Sequence, residues 1–121
     1  MRVGDFVENS RAFSAGDLRE YQGLCGHKAS DQAVPEPLIG ALFSYLLGVK
    51  LPGVGTMYLK QETRHHADAL IDEPLTARVE ITRLRPDKQL ADLATTCMGM
   101  DGRIIASGRA LVYIGDVDQH E

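Results

Sequence analysis

Three side chains that can move protons, His27, Asp31 and Glu36, lie in one short segment that reads GHKASDQAVPEP. A histidine and a carboxylate together can orient and deprotonate a water molecule when both reach it at hydrogen-bond distance. Glu36 falls in the first turn of the helix expected next, where a carboxylate suits the helix dipole. The segment is therefore a candidate acid–base site. The alternative is that His27 and Asp31 are solvated or cap the following helix, and that Glu36 is only structural.

The elements around this segment follow from the apolar pattern. The stretch FSAGDLREYQGLCG predicts a short helix capped by Ser14, with Asp17 placed to complete a capping box. Residues 26–35 show no periodicity and predict a loop. Residues 36–48 predict a helix that is apolar on all sides, so other elements must cover it. In that helix we expect near-complete burial of Leu38, Leu42, Phe43 and Leu46.

Downstream of the turn LPGVG, the chain predicts a run of antiparallel strands. Residues 56–66 look extended, LTARVEI alternates apolar and polar residues, and residues 89–100 form a third strand. Asp101 and Gly102 are a hairpin signal before the last strand. The residues expected on one face of that strand are Ile104, Ala106, Gly108, Ala110, Val112 and Ile114. A central buried helix wrapped by a curved antiparallel sheet is the hot-dog arrangement, so we predict an α+β fold with a single domain over residues 1–121.

The strand over residues 56–66 carries further polar candidates. Tyr58, Lys60 and Arg64 are expected to share one of its faces. His65 and His66 are adjacent, so they should point to opposite faces and cannot both bind one metal ion. No neighbouring cysteine or carboxylate pattern completes a zinc set, and we predict no metal site. His65 is expected to be a structural strand or interface histidine.

Composition narrows the classes of protein. The net charge of −4 gives no support for nucleic-acid binding, and no apolar run reaches the ~18 residues of a membrane span. The first residues, MRVGDFVENSRAF, contain no apolar stretch typical of a signal peptide. Cys25 and Cys97 are too few for a disulfide framework. We therefore expect a cytoplasmic protein with no nucleic-acid or membrane partner.

Four stretches of the sequence resemble the MaoC-like family of (R)-specific enoyl-CoA hydratases and dehydratases, which have the hot-dog fold. They are VGDFVENSRAFSAGDLREYQGLCG, SYLLGVKLPGVGTMYLKQ, ALIDEPLTARVEITRLRPDK and DGRIIASGRALV, and they cover nearly the whole chain. The second stretch is similar to a Leu-Pro-Gly-x-Gly-x-x-Tyr-Leu run typical of the family. In the third, Asp72 and Glu73 stand where the family has Gly-Asp. The resemblance implies a hot-dog fold and chemistry on an acyl thioester.

The loop before the central helix departs from the family's Gly-Asp-x-Asn-Pro-x-His motif, whose Asp and His hold one water and add it to a trans-2-enoyl thioester. Gly26 aligns with the glycine of the motif, but His27 stands at the Asp position and Gln32 at the His position. Ala29 and Ser30 replace Asn and Pro. The loop is also shorter, and the helix opens with Pro-Glu where the family has His-Gly.

The resemblance implies an acyl-thioester hydratase or dehydratase, acting on enoyl-CoA or acyl-ACP, with an altered active site. His27 and Asp31 are similar to the family's acid and base with their order exchanged. Glu36 is a further candidate, as an acid or base beside a thioester carbonyl at the helix N-terminus. Pro35 and Pro37 remove two backbone N–H groups from the place where an oxyanion would be held.

Gly40, Tyr58, Lys60 and Arg64 are assigned to substrate binding, with the two cations as contacts to CoA phosphates. The resemblance implies no cofactor, since CoA or ACP is the carrier of the substrate. Family members pair side by side with active sites at the subunit interface, which implies a homodimer or a hetero-oligomer of hot-dog chains.

Two other functions stay open at this point. A non-catalytic hot-dog subunit would bind an acyl thioester or support an active partner, and the missing family Asp and His favour it. An acyl-CoA thioesterase would use His27 or Glu36 with water. The retained His27 and Asp31 favour the hydratase.

Overall fold

The computed structural model describes residues 1–25 and 34–115. Within those ranges the secondary structure elements are β1 Phe6–Arg11, α1 Ala15–Cys25, α2 Glu36–Tyr45, a π-helical turn Leu46–Lys50, β2 Met57–His65, β3 Leu75–Arg85, β4 Leu90–Met98 and β5 Ile104–Tyr113. The predicted order of a short helix, a central helix and a run of strands is confirmed. Among the helices in these ranges, none is long and apolar enough to cross a membrane.

The described strands form one antiparallel sheet in the order β1-β3-β4-β5-β2. One face of the sheet is buried against α2, and we call it the helix-facing face; the opposite one is the outer face. The sequence of β3 explains why the two faces differ. Its apolar residues from Leu75 to Ile81 are buried, and the polar residues that alternate with them are only partly buried. The predicted α+β fold, with one helix on an antiparallel sheet, is confirmed.

α2 is covered by the sheet on one side. Its buried residues, with those of the following turn, are Ile39, Leu42, Phe43, Leu46 and Leu47. Leu38 is only partly buried, so its predicted near-complete burial was wrong. Leu38 and Tyr45 lie two turns apart on a stripe of α2 that is only partly buried; they border a cavity with Asn9 and Arg11 of β1, and Tyr45 is 45% exposed. In the single chain, the helix is therefore not covered all round.

The end of α2 is joined to the turn that follows it. The Leu51 N–H donates to the Leu46 carbonyl at 2.8 Å, and the Gly53 N–H donates to the Leu47 carbonyl at 3.0 Å. Gly53 has a φ of 101°, which glycine adopts without the strain of a side chain. These bonds use carbonyls that the end of a helix leaves unpaired, so the turn closes tightly on the helix.

Bulges interrupt two of the predicted alternations. Between β4 and β5, Cys97 lies opposite Ala106 and Met98 opposite Ile104, which makes Ile105 an extra residue. Ile105 is fully buried and Ile104 is 49% exposed. The prediction that Ile104 shares a face with Ala106 was therefore wrong. In β2, Leu59 is likewise an extra residue between Tyr58 and Lys60.

α1 begins with the predicted capping box. The Ser14 N–H donates to Asp17 Oδ2 at 2.8 Å, and the Asp17 N–H donates to Ser14 Oγ at 3.1 Å. The hydrogen bond from the Ser14 backbone is the main reason why the pKa of Asp17 lies below its ordinary value. Local sequence therefore fixes where α1 starts, and α1 leads towards the segment that enters α2.

Candidate active site

The first turn of α2 offers few backbone donors. Pro35 caps the helix without a side-chain hydrogen bond, and Pro37 has no N–H. The Leu38 N–H donates to the Pro35 carbonyl at 3.0 Å. Among the first three helical positions, at most the N–H of Glu36 can therefore face a substrate oxyanion.

The Glu36 side chain contacts the last residue of β2. Its Oε2 lies 3.8 Å from Nε2 of His65, which is the last residue of the strand. The two side chains are 69% and 23% exposed, respectively. His65 is opposite Ala106, a buried residue, so its side chain is on the helix-facing face. At this distance the contact is an ion pair when His65 is protonated, and is too long for a hydrogen bond.

The neighbouring histidine points the other way. Nε2 of His66 lies 2.7 Å from Oγ of Ser107, which follows Ala106 in β5 and so belongs to the outer face. The prediction that His65 and His66 point to opposite faces is confirmed. Among the described residues, no group of three or more His, Cys, Asp or Glu side chains is arranged to hold a metal ion.

A cavity of about 190 Å³ lies between the start of α2 and the end of β2. Its lining includes Val34, Glu36, Ile39, His65, Ala67 and Asp68. This volume is below the roughly 300–1,000 Å³ of pockets that take drug-sized ligands. It fits a short acyl group and not a whole CoA thioester.

Hydrogen bonds fix the wall of this cavity. The Val34 N–H donates to the Ala69 carbonyl at 2.7 Å, which joins the chain entering α2 to the chain leaving β2. The guanidinium of Arg103 donates to the Asp68 carbonyl and to Glu73 Oε1, each at 3.0 Å. The cavity is therefore bounded by segments whose backbone positions are fixed from two sides.

The predicted site residues fall in different places. His27 and Asp31 lie outside the described residues. Glu36 is at the cavity, and Gly40 lies one turn further along α2 on the same side. Apart from its chain neighbours and the backbone of α2, no described atom lies within 4 Å of the Cβ that a side chain at position 40 would have. Glu36 and Gly40 therefore lie on the same side of α2, and of the two, Glu36 lines the cavity.

Tyr58, Lys60 and Arg64 do not share a face, so that prediction was wrong. Tyr58 lies opposite Val112, which is buried, and its hydroxyl donates to the Ser44 carbonyl of α2 at 2.8 Å. The extra residue Leu59 shifts the alternation, so Lys60 and Arg64 belong to the outer face. Burial raises the pKa of Tyr58, and the hydrogen bond to Ser44 partly opposes that effect.

The two cations border grooves on the outer face. Lys60 Nζ is 3.9 Å from Glu62 Oε1, and Arg64 lines a groove of about 420 Å³ with Thr96, Ser107 and Arg109. This groove is larger than the cavity at α2, but it is more open and lies on the other side of the sheet from Glu36 and His65. The smaller cavity is therefore the better candidate for chemistry.

Cys97 is not a nucleophile candidate. It is fully buried in β4, and this burial, with a smaller contribution from Glu73, raises its pKa to about 11. The thiol therefore stays protonated at neutral pH, and a thiolate is the form that attacks.

His65 is the residue that sequence reasoning assigned to structure and that the fold brings to the cavity. In the chain, the rest of α2, the π-helical turn and most of β2 lie between Glu36 and His65. No local pattern therefore predicts their contact. The sequence contains one sign of such a role, because His65 is a polar side chain at a strand position that is usually apolar in the family that the sequence resembles.

No protein-family model matches the chain. The chain is 40% identical, across an alignment of 128 positions that includes gaps, to an (R)-specific enoyl-CoA hydratase of Aeromonas caviae, with 94% of this chain and 96% of that protein covered. It is 34% identical to an (R)-specific enoyl-CoA hydratase of Rhodospirillum rubrum, with 94% and 88% covered.

Solved structures agree with these relatives. The (R)-hydratase from A. caviae involved in PHA biosynthesis superposes with a TM-score of 0.85 over 93% of this chain and 96% of that one, at 30% identity between superposed residues. An unliganded R-hydratase from Pseudomonas aeruginosa superposes with a TM-score of 0.88 over 100% of this chain and 89% of the other. At 22% identity, that second likeness supports the fold alone.

Proposed function

Since the chain belongs to the MaoC-like family of (R)-specific enoyl-CoA hydratases, we propose that it adds water to a 2-enoyl thioester or removes water from a 3-hydroxyacyl thioester. The observation that carries this proposal is the 40% identity to an (R)-specific enoyl-CoA hydratase over nearly the full length of both chains. The substrate is carried by CoA or ACP, and the reaction needs no further cofactor.

The proposed site is at the amino end of α2. His27 and Asp31 precede that end in the sequence, and we assign water activation to them. Glu36 contributes at the cavity, beside the thioester carbonyl. Gly40 is assigned to substrate binding because it lies one turn further along the same side of α2, where a side chain would meet no close neighbour.

Tyr58, Lys60 and Arg64 remain proposed substrate contacts, in two different roles. The Tyr58 hydroxyl is on the side of α2, where it can border an acyl chain. Lys60 and Arg64 are exposed cations on the outer face, so a CoA phosphate would reach them only by passing the edge strand β2. The cytoplasm is the proposed location.

We propose that the protein is at least a homodimer, with β2 in the interface. β2 is an edge strand whose described neighbour is β5, and Met57 and Leu59 on it are exposed apolar residues. Open strand edges are usually paired or covered. Light scattering at micromolar concentration should give a dimer or larger, and a clean monomer of 13.2 kDa would contradict this proposal.

Hydration of crotonyl-CoA tests the function directly. Loss of the enoyl absorbance, with 3-hydroxybutyryl-CoA as the product, is the expected result. Release of free CoA thiol would instead indicate a thioesterase. Binding of crotonyl-CoA without turnover, or co-purification with a second hot-dog chain, would indicate the non-catalytic subunit.

A further inference from the structure

We propose that a cavity between β1 and α2 binds a short-chain monocarboxylate, with the carboxylate at Arg11 and Asn9 and the aliphatic tail against α2. The cavity has a volume of about 250 Å³. Among the described residues, none lines both this cavity and the one that contains Glu36 and His65. The proposal is therefore independent of the hydratase activity proposed above.

Two polar side chains of β1 are on the face that α2 covers. Asn9 lies opposite Ala77 and Arg11 lies opposite Leu75, in the register of β1 with β3. Ala77 and Leu75 are fully buried on the helix-facing face, and opposite residues of an antiparallel pair lie on the same face. β1 therefore presents an amide and a guanidinium to α2, at register positions where β3 has apolar side chains.

The guanidinium of Arg11 is held beside the cavity by an aromatic ring. Its Cζ lies 4.5 Å from the centre of the Phe13 ring, a distance at which a cation and an aromatic face attract each other. Such a contact restricts the guanidinium without using its N–H donors. Arg11 is therefore able to bond a ligand through its planar fork.

Asp17, the acidic residue that contacts Arg11, does not occupy these donors. Its Oδ1 is 3.8 Å from Arg11 Nη2, which is too long for a hydrogen bond. The other oxygen of Asp17 accepts hydrogen bonds from the N–H and the hydroxyl of Ser14. In the part of the chain that the structure describes, the cavity has no acidic lining residue. The charge of its described lining is therefore positive.

The rest of the described lining is formed mainly by apolar side chains. Leu38, Ala41 and Leu42 of α2 contribute to it, together with Phe13 and the ring of Tyr45. Sites for small ligands typically combine apolar walls with a few polar groups that fix the orientation of the ligand. The volume is below the roughly 300–1,000 Å³ of pockets that take drug-sized ligands, so the tail must be short.

A monocarboxylate has the chemistry that these groups recognise. A planar guanidinium can donate two parallel N–H bonds to the two oxygens of a carboxylate. The Asn9 amide supplies a further N–H donor from the same strand. One cation matches one negative charge, and an aliphatic tail against Leu38 and Leu42 is removed from water.

The cavity lies at the sheet edge opposite β2, because β1 and β2 are the two outer strands of the described sheet. A homodimer that pairs through β2 therefore needs no residue of β1. Each protomer would contain one such cavity, so binding can be measured on the protein in its own oligomeric state.

The test compares the binding of hexanoate with that of hexan-1-ol, which has the same tail without the charge. The ring resonances of Phe13 and Tyr45, followed by NMR, report binding at this cavity. We expect hexanoate to shift both rings saturably. Hexan-1-ol should bind about 10- to 100-fold more weakly, because it cannot accept the charged hydrogen bonds.

Two variants and a control separate the carboxylate from the tail. Arg11→Gln should weaken hexanoate binding about 10- to 100-fold and leave hexan-1-ol binding nearly unchanged. Ala41→Leu should abolish the binding of both, because Ala41 lines the cavity from an exposed position and a longer side chain there fills it. Arg83→Gln is the control, since Arg83 is an exposed arginine of β3 that does not line the cavity.

Thermal unfolding gives a second readout, because a ligand that binds only the folded chain raises the unfolding midpoint. Hexanoate should raise the midpoint of the wild-type chain and of Arg83→Gln, and not that of Ala41→Leu. Circular dichroism establishes that each variant is folded. The proposal is overturned by the absence of a saturable shift, by equal affinity for hexanoate and hexan-1-ol, or by hexanoate binding that is unchanged in either Arg11→Gln or Ala41→Leu. A failed crotonyl-CoA assay would contradict the hydratase activity alone.

Discussion

The two ends of α2 are held in different ways. At the amino end, Pro35 caps the helix without a side-chain bond, and Glu36 is exposed beside the cavity. At the carboxyl end, the helix continues into a turn with Leu46 fully inside the core, and the Tyr58 hydroxyl donates to the Ser44 carbonyl. We therefore expect substitutions at the packed end to change stability most and substitutions at the polar end to change activity most.

We expect the largest effect from removing the proposed base His27, which precedes α2 in the sequence. His27→Ala should lower the rate of crotonyl-CoA hydration about 10²–10⁴-fold, which is the usual contribution of general acid–base catalysis. The free energy of unfolding should change little. Stopped-flow or spectrophotometric rates measure the effect. Glu80→Gln is the control, because Glu80 pairs with Arg78 on β3 and does not line the cavity. A rate that survives His27→Ala and Asp31→Ala together would contradict the assignment of the loop residues.

At the carboxyl end of α2, we expect a substitution to lower the free energy of unfolding. Leu46→Ala removes a fully buried side chain and should lower the free energy of unfolding by about 2–5 kcal/mol. Val49→Ala in the same turn is the control, since Val49 is half exposed and should cost much less. Urea unfolding of both variants gives the difference. A cost below about 1 kcal/mol for Leu46→Ala would mean that this end is not part of the core.

A smaller effect should follow from Tyr58→Phe. The change removes the hydroxyl that donates to the Ser44 carbonyl and keeps the ring, so it should cost about 0.5–1.5 kcal/mol of stability. Tyr45→Phe, on the exposed stripe of α2, is the matched control. Thermal unfolding of the two variants tests this, and equal stability of both would show that the hydrogen bond contributes nothing measurable.

The smallest effect concerns acid stability at α1. Because the pKa of Asp17 is lower in the folded chain than in the unfolded one, its stabilising contribution is present above the unfolded pKa. It is lost as the pH falls through the folded pKa. Asp17→Asn should therefore flatten the loss of stability below neutral pH. Unfolding midpoints measured across the acid range should show this, and identical pH profiles for both chains would contradict it.

Much of the fold could be predicted because the patterns that encode it are local. The alternation in β3 and the capping pair Ser14 and Asp17 each depend on neighbours within a few residues. The bulges at Leu59 and Ile105 depend on how two distant strands meet, and alternation along one strand does not record them. For that reason the faces of Tyr58 and Ile104 were mistaken.

The candidate site was predictable only in part, for a similar physical reason. Glu36 could be placed at a helix start from the sequence, because proline and a carboxylate favour the first turn. Its contact with His65 arises from the crossing of α2 over the end of an edge strand. Such a crossing is a property of the packed molecule, and neither segment encodes it alone.

The bulge at Leu59 also makes β2 tolerant of a change in chain length. Tyr58 is opposite Val112 and Lys60 is opposite Leu111, which are consecutive residues of β5. Loss of Leu59 would leave an uninterrupted ladder in which both of these pairs persist. A deletion of this one residue is therefore neutral for the register at either end of the strand. Deletion of Leu59 therefore keeps the Tyr58 side chain against α2 and leaves His65 at the cavity.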